Sequence, residues 1–273
     1  MKIILSRKGF DSSNGGCASP ILPDGTMLSM PIPSEDNIEY NDLIYNNTSY
    51  ADILKQINPN GSYNKKCHLD PDIRPNIRKT PVENWQAAFG QIGSAQSALH
   101  NAGVSVGDIF LFFGWFHKTL FEDNKLKYCC AERGNNTDFY ENSDLQVIYG
   151  YMQIGEIITD KEKIKQYFWH PHASKERLIK KNNAIYVPSE KLTSLNSDLP
   201  GYGVLNYRKD RVLTKEGRTR AVWDEREFLM PDRIYGNRKN SAKNGELYYK
   251  GIWQELIVDE SPELLEWVRG VIE

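Results

Sequence analysis

The sequence predicts an α+β protein built on a curved, mainly antiparallel sheet with flanking helices and a C-terminal helix. Three observations carry this prediction. Residues 109–116 (IFLFFGWF) are an unbroken apolar, aromatic run, too short for most helices and suited to a central strand. Residues 145–157 (LQVIYGYMQIGEI) form a second such run, and its internal glycines mark a bulge or a tight bend of a curved sheet. Ser261-Pro262-Glu263 then opens a helix with a cap, a proline at the first helical position and an acid by the positive end. Leu264, Leu265, Val268 and Ile272 give that helix one apolar face.

Taken in chain order, Ile3-Ile4-Leu5 reads as a buried strand. Ile21-Leu22 and residues 27–30 flank the turn Pro23-Asp24-Gly25-Thr26, a hairpin signal, and Pro31 and Pro33 end or edge it. Ser49 and Asp52 form a capping box for a helix with Tyr50, Ile53, Leu54 and Ile57 inward. A second helix is expected over 91–101, with Ile92, Ala95 and Leu99 inward and Gly103 as terminator. After the 109–116 strand, residues 122–125 turn into a strand over 126–131. Thr159 and Glu162 suit a second capping box, and short strands are expected at 184–187, 203–207 and 252–258. Without repeat, low-complexity tract or long linker, residues 1–273 are expected to form a single domain. Its β core falls at about 104–158, and a basic, loop-rich part at about 200–245.

Composition narrows the partners. The chain has 273 residues, 26% of them charged, and a formal net charge of -2, so no global field draws it onto a polyanion. Nucleic-acid contact would need a local patch. No apolar run reaches the length of a membrane span and no secretory h-region opens the chain, so a cytoplasmic protein without a membrane partner is expected. Cys17, Cys67, Cys129 and Cys130 lack paired metal-type spacing and read as reduced thiols. P-loop, dinucleotide fingerprint and nucleophile elbow are all missing from the sequence.

Four segments could carry chemistry. Ser6, Arg7, Lys8, Asp11, Ser12, Gly15 and Gly16 follow the first strand and offer cations, hydroxyls and approachable backbone to an anionic or sugar-bearing ligand. The alternative is a basic surface turn. His68, Asp70 and Asp72 alternate, so in extended backbone they would share a face, as metal ligands or as a base beside its orienting partner. The competing reading is an Asp-Pro turn with solvated carboxylates, and spacing alone assigns no metal. His170 and His172 also alternate about Pro171, beside Phe168 and Trp169, either as a titratable pair or as a packed one. Lys215, Arg218 and Arg220 surround Gly217 in a stretch, 207–243, with 11 Lys or Arg against 6 acids, which suits phosphate or simply a solvated basic face.

These segments carry a resemblance. LSRKGFDSSNGG, SPILPDG, PIP, CHLDPDIR, AFGQIGSAQS, GVSVGDIFLFFGWF, YGYMQIGEI and HPH resemble the nucleotide modification associated domain 3 family of bacteria and their phages, over residues 1 to about 253. The resemblance implies an association with base or nucleotide modification and brings no established reaction or cofactor. It adds Arg74, Gln91 and Gln96 to the polar positions already named. Residues 104–158 are also similar to the core of PUA-like barrels, some of which hold a modified base between aromatic rings.

Three readings follow. As an enzyme, the N-terminal loop and basic turn hold a nucleotide's phosphate or sugar while His68, Asp70, Asp72 or the His170/His172 pair move a proton, with Asp11 as nucleophile or base. As a reader, Trp115, Tyr149, Tyr151 and Trp169 stack on a flipped base of modified nucleic acid. As a defence or counter-defence factor, the chain sequesters a nucleotide. The modest charge suits a small nucleotide better than a long duplex.

Overall fold

The computed structural model describes residues 1–61, 65–131, 138–236, 240–251 and 254–273. The main sheet is organised by two long strands. These are β8 (Ile109–Glu122) and β10 (Leu145–Ile158), each of 14 residues; β8 runs well past the expected 109–116, whereas β10 exceeds the expected 145–157 by one residue. They pair antiparallel, from Leu145 opposite Phe116 to Gln153 opposite Ile109. Strand β1 (Lys2–Arg7) lies parallel to β8 on the other side, with β16 (Glu255–Asp259) antiparallel beyond it. The far half of β8 pairs instead with β2 (Ser19–Ile21) and β9 (Lys125–Tyr128). Likewise β10 passes to β11 (Ala184–Pro188) and β12 (Tyr202–Val204), and β11 to the edge strand β7 (Phe89–Gln91).

A strand that changes partner midway must bend, and the result is a strongly curled half-barrel of mostly antiparallel strands. Register shifts fall at both internal glycines of β10, one over Tyr149 with Gly150 at its edge and one across Gly155 between Ile154 and Glu156. The reason is close backbone approach: a Cβ on Gly155 would lie 2.6 Å from Ser189 N and 2.7 Å from Pro188 O. Fully buried Ile3, Ile4, Leu5, Phe110, Phe112, Phe113, Phe116, Phe89 and Trp223 belong to the main core, and consecutive residues such as Ile3-Ile4-Leu5 are buried on both faces of the sheet.

Outside this sheet, β3 (Ile32–Glu39) pairs with β6 (Lys66–His68), and β4 (Ile44–Tyr45) with β5 (Thr48–Ser49). A third small sheet joins β13 (Val222–Trp223), β14 (Ser241–Lys243) and β15 (Glu246–Tyr248). Six helices are described: α1 (Tyr50–Ile57), α2 (Gly93–Asn101), α3 (Phe139–Asn142), α4 (Lys161–Lys165), α5 (Lys175–Leu178) and α6 (Pro262–Ile272). Helix α1 carries the expected capping box, Ser49 Oγ accepting from Asp52 N at 3.0 Å and donating to its carboxylate at 2.7 Å. It buries Tyr50, Ile53, Leu54 and Ile57 in a second, smaller core with Phe10, Met30, Cys67 and Leu69.

Local signals misplace several boundaries. Helix α2 starts two residues late because Gln91 belongs to β7, and α4 is capped by Asp160 rather than Thr159. The 23–26 turn forms, but its second arm keeps only the bridge of Met27 to Ile21. In the last expected strand, residues 252 and 253 lie outside the described residues, and pairing runs from Glu255. Helix α6 matches its caps and apolar face, with Val271 buried where Leu265 is half-exposed. Among the described residues no helix is long and apolar enough to cross a membrane.

Gly155→Ala should destabilise the protein by about 1–3 kcal/mol, because the new methyl meets backbone that cannot yield. Gly270→Ala, in α6 with open space around it, should be neutral or stabilising by up to about 1 kcal/mol. Urea denaturation of both variants checks the contrast.

Candidate functional site

The N-terminal loop, the 68–70 segment and the 170–172 segment meet on one cavity of about 540 Å³. Its walls include Arg7, Lys8, Asp11, Asn14, Ser34, His68, Asp70, Gln91, His172 and Arg177. Each wall residue arrives for a local reason. Strand β1 ends at Arg7, and Lys8 N extends its ladder by one bond to Phe113 O at 2.8 Å. The chain then folds on itself around Asp11, whose carboxylate accepts from Ser13 N and Asn14 N, both at 2.8 Å, and pairs with Arg7 at 3.2 Å. Gly15 stands at φ +91°, where a Cβ would fall 2.3 Å from the Phe10 ring, so this turn admits only glycine.

Alternation places His68 and Asp70. Cys67 and Leu69 point into the second core, so their neighbours point out into the cavity. The shared face ends there. Asp72 is fully buried on a different path, its backbone bridged to Ala88 and its carboxylate held by Arg78 at 2.6 and 3.1 Å and by Trp85 Nε1 at 3.0 Å. The expected three-residue face is therefore a pair, with Asp72 serving a structural ion pair.

Around Asp70 the imidazoles close in. Asp70 Oδ1 accepts from Gly90 N at 2.8 Å and lies 3.3 Å from His170 Nε2, while Oδ2 lies 3.8 Å from His68 Nε2. His170 Nδ1 accepts from His172 N at 3.2 Å, which leaves its proton on Nε2, facing Asp70. His68 Nδ1 donates to Asp36 Oδ2 at 2.8 Å, and Arg177 pairs with the same carboxylate. His172 Nδ1 donates to Asn183 Oδ1 at 2.7 Å, and Asn183 Nδ2 donates back to His172 O at 2.9 Å. Both cavity-lining imidazoles thus have Nδ1 engaged, which leaves Nε2 as the ring atom that can meet a ligand.

Burial alone would raise Asp70, but the bond from His170 and the surrounding imidazoles hold it well below the usual carboxylate range. Burial would likewise raise Asp36, and His68 and Arg177 pull it well below that range. Burial pushes His172 down to about 3, against the partial opposition of Asp70. His172 is therefore a neutral acceptor at physiological pH.

The remaining sequence-derived residues divide. Lys8 Nζ sits 3.2 Å from Glu255, whose side chain is fully buried, and 4.5 Å above the Phe89 ring; Gln91 Nε2 donates to the same Glu255 at 2.6 Å. Ser6 is fully buried in β1, and Gly16 (φ +69°) completes the loop turn without lining the cavity. Gln96 points elsewhere, accepting from Tyr186 Oη at 2.8 Å, and Arg74 donates to Met27 O at 2.8 Å beside a separate small cavity of about 30 Å³. Lys215 and Arg218 are engaged with Glu246 in the third sheet, at 3.8 and 2.6 Å, away from the cavity. Arg220 and Ser12 share a neighbouring cavity of about 340 Å³, where Arg220 stacks 3.9 Å over Trp115. The other three rings considered for stacking do not join Trp115: Tyr149 borders the 30 Å³ cavity, Tyr151 is packed in the core with its hydroxyl on Pro200 O, and Trp169 packs against Tyr167 and Phe168.

Sequence reasoning missed Asp36, Arg177, Asn183 and Glu255. Only Glu255 left a trace, an acid inside the apolar strand ELIV that a nearby cation had to answer.

The tight fit of His172 depends on Gly90, where a Cβ would lie 2.3 Å from Cδ2 and 2.8 Å from Nε2 of the imidazole. Gly90→Ala should drive His172 off Asn183, seen as loss of its hydrogen-bonded Nδ1–H signal in ring-¹⁵N NMR spectra. In the wild type, the His172 signals should remain those of a neutral ring from pH 8 to pH 5, and an inflection in that range would contradict its buried placement. Because the unfolded chain takes up this proton near pH 6.5 and the folded chain only near 3, the site should cost stability as pH falls through that window.

A family model described as nucleotide modification associated domain 3 matches residues 2–259, which include the cavity and the whole main sheet. No curated protein and no solved structure matches the chain. With nearly its full length matched, and with the loop, the His68–Asp70 segment and the His170–His172 segment all inside the match, the chain belongs to the nucleotide modification associated domain 3 family.

Proposed function

We propose that the 540 Å³ cavity binds a phosphate- or sugar-bearing nucleotide and that the chain is an enzyme of nucleotide or base modification, with His68, Asp70 and His172 at its reactive end. One observation carries this reading: three segments more than 50 residues apart in sequence bring their hydrophilic side chains to one concavity of ligand size. Arg7 and Lys8 stand at the binding end. His170 acts as a positioning residue, holding Asp70 from the side away from the cavity. The neighbouring 340 Å³ cavity shares Arg7 and Asp11 with the first and supplies Trp115 as an aromatic wall, so a ligand spanning both could set its base there and its phosphate by Arg7. A reader that clasps a base between several rings gains less support, because the four candidate aromatics do not line a common cavity.

A panel of nucleosides and nucleoside mono-, di- and triphosphates, screened by thermal shift, tests the binding claim. At least one member should raise the melting temperature, and Arg7→Ala should weaken its affinity more than tenfold. Conversion of that ligand, followed by mass spectrometry, should be abolished by Asp70→Asn. No shift with any nucleotide would overturn the reading, and binding without conversion would leave a nucleotide-sequestering protein.

A further inference from the structure

Two imidazoles and a carboxylate gather at the reactive end of the cavity. One ring nitrogen of His68, one of His172 and a carboxylate oxygen of Asp70 all lie within 4.8 Å of one another. Asp36 and Asn183 engage the two Nδ1 atoms and Gly90 N donates to Asp70 Oδ1, so Nε2 of each imidazole and Asp70 Oδ2 are the atoms left to meet a ligand. A cation entering between them would meet two nitrogens and one oxygen as ligand atoms.

We propose that His68, Asp70 and His172 bind one first-row divalent transition-metal ion. The set has two imidazoles and one carboxylate, a combination that suits such ions while leaving coordination positions open toward the cavity. Each ligand has an outer partner of the kind that orients metal-bound groups: the Asp36 carboxylate behind His68, the Asn183 amide behind His172, and Gly90 N behind Asp70. Charge favours the same occupant. The ion pairs Arg7–Asp11, Lys8–Glu255 and Arg177–Asp36 use up the nearby cations and leave Asp70 with only imidazoles beside it. A dication beside Asp70 adds positive charge there and makes the cavity receptive to an anionic ligand. Cys67, though adjacent to His68, is buried in the second core on the opposite face and is not among the donors.

The site stands or falls without any nucleotide. Full-length protein, stripped with chelator, is titrated with Zn²⁺ by calorimetry and with Co²⁺ by visible absorption. One equivalent of each should bind, and the cobalt spectrum should lack a thiolate charge-transfer band. His68→Gln, Asp70→Asn and His172→Gln should each weaken Zn²⁺ binding at least 100-fold, Asp36→Asn about 10- to 100-fold. His100→Gln, on the exposed end of α2, should leave binding unchanged. Circular dichroism of each variant separates loss of ligand from loss of fold, and the wild-type cobalt spectrum needs no variant at all. No uptake of either ion, a thiolate band, or affinity that survives His172→Gln would overturn the metal site while leaving nucleotide binding open. A metal that binds to a protein inert to every nucleotide would sustain this site and overturn the proposed function instead.

Discussion

A buried carboxylate sets the terms for much of this structure. Asp70 has almost no solvent of its own, and a charge taken out of water survives only where hydrogen bonds and opposite charge replace the lost hydration. Its replacements come from separate parts of the chain: Gly90 N from the edge strand β7, His170 from the turn before α5, and the nearby rings of His68 and His172. Ionised Asp70 is therefore tied to long-range closure of the fold. The same holds for Glu255, fully buried in β16 and answered by Lys8 from the N-terminal loop and Gln91 from β7.

These polar clusters are compatible with a packed interior because the backbone comes unusually close where it must. Gly90 leaves room for the His172 ring, Gly15 for Phe10, and Gly114 for Lys8 O, which a Cβ would meet at 2.6 Å. The close contacts lie at the joints between the curled sheet and the loops that wall the cavity. Curling supplies the other half of the geometry: because β8 and β10 exchange partners along their length, β1 and β7 end on the same side of the half-barrel and aim their polar ends together.

Electrostatically the cavity is balanced rather than basic. Arg7 answers Asp11, Lys8 answers Glu255, and Arg177 answers Asp36, so the cations that look free in the sequence are spoken for in the fold. The basic stretch at 207–243 shows the same economy, with Lys215 and Arg218 on Glu246 and Arg208 on Asp210. Its residues 237–239 lie outside the described residues. Family membership links the chain to nucleotide modification, and the geometry concentrates the question on one group of side chains.

The sequence by itself determined what local rules govern. Continuous apolar runs made β8 and β10, the internal glycines of β10 marked its two register shifts, and capping signals placed α1 and α6, because strand burial, close approach and end-capping act over a few residues. It also named His68, Asp70, His170 and His172 as chemistry-bearing, and the alternation of His68 with Asp70 put these two on one face. Only the tertiary structure decided that these segments meet, that Asp72 leaves the face to bind Arg78, and that Asp36, Asn183 and Glu255 are the hidden partners. Those choices rest on pairings between residues up to 247 positions apart, and side-chain complementarity across such distances leaves no periodic mark in the chain.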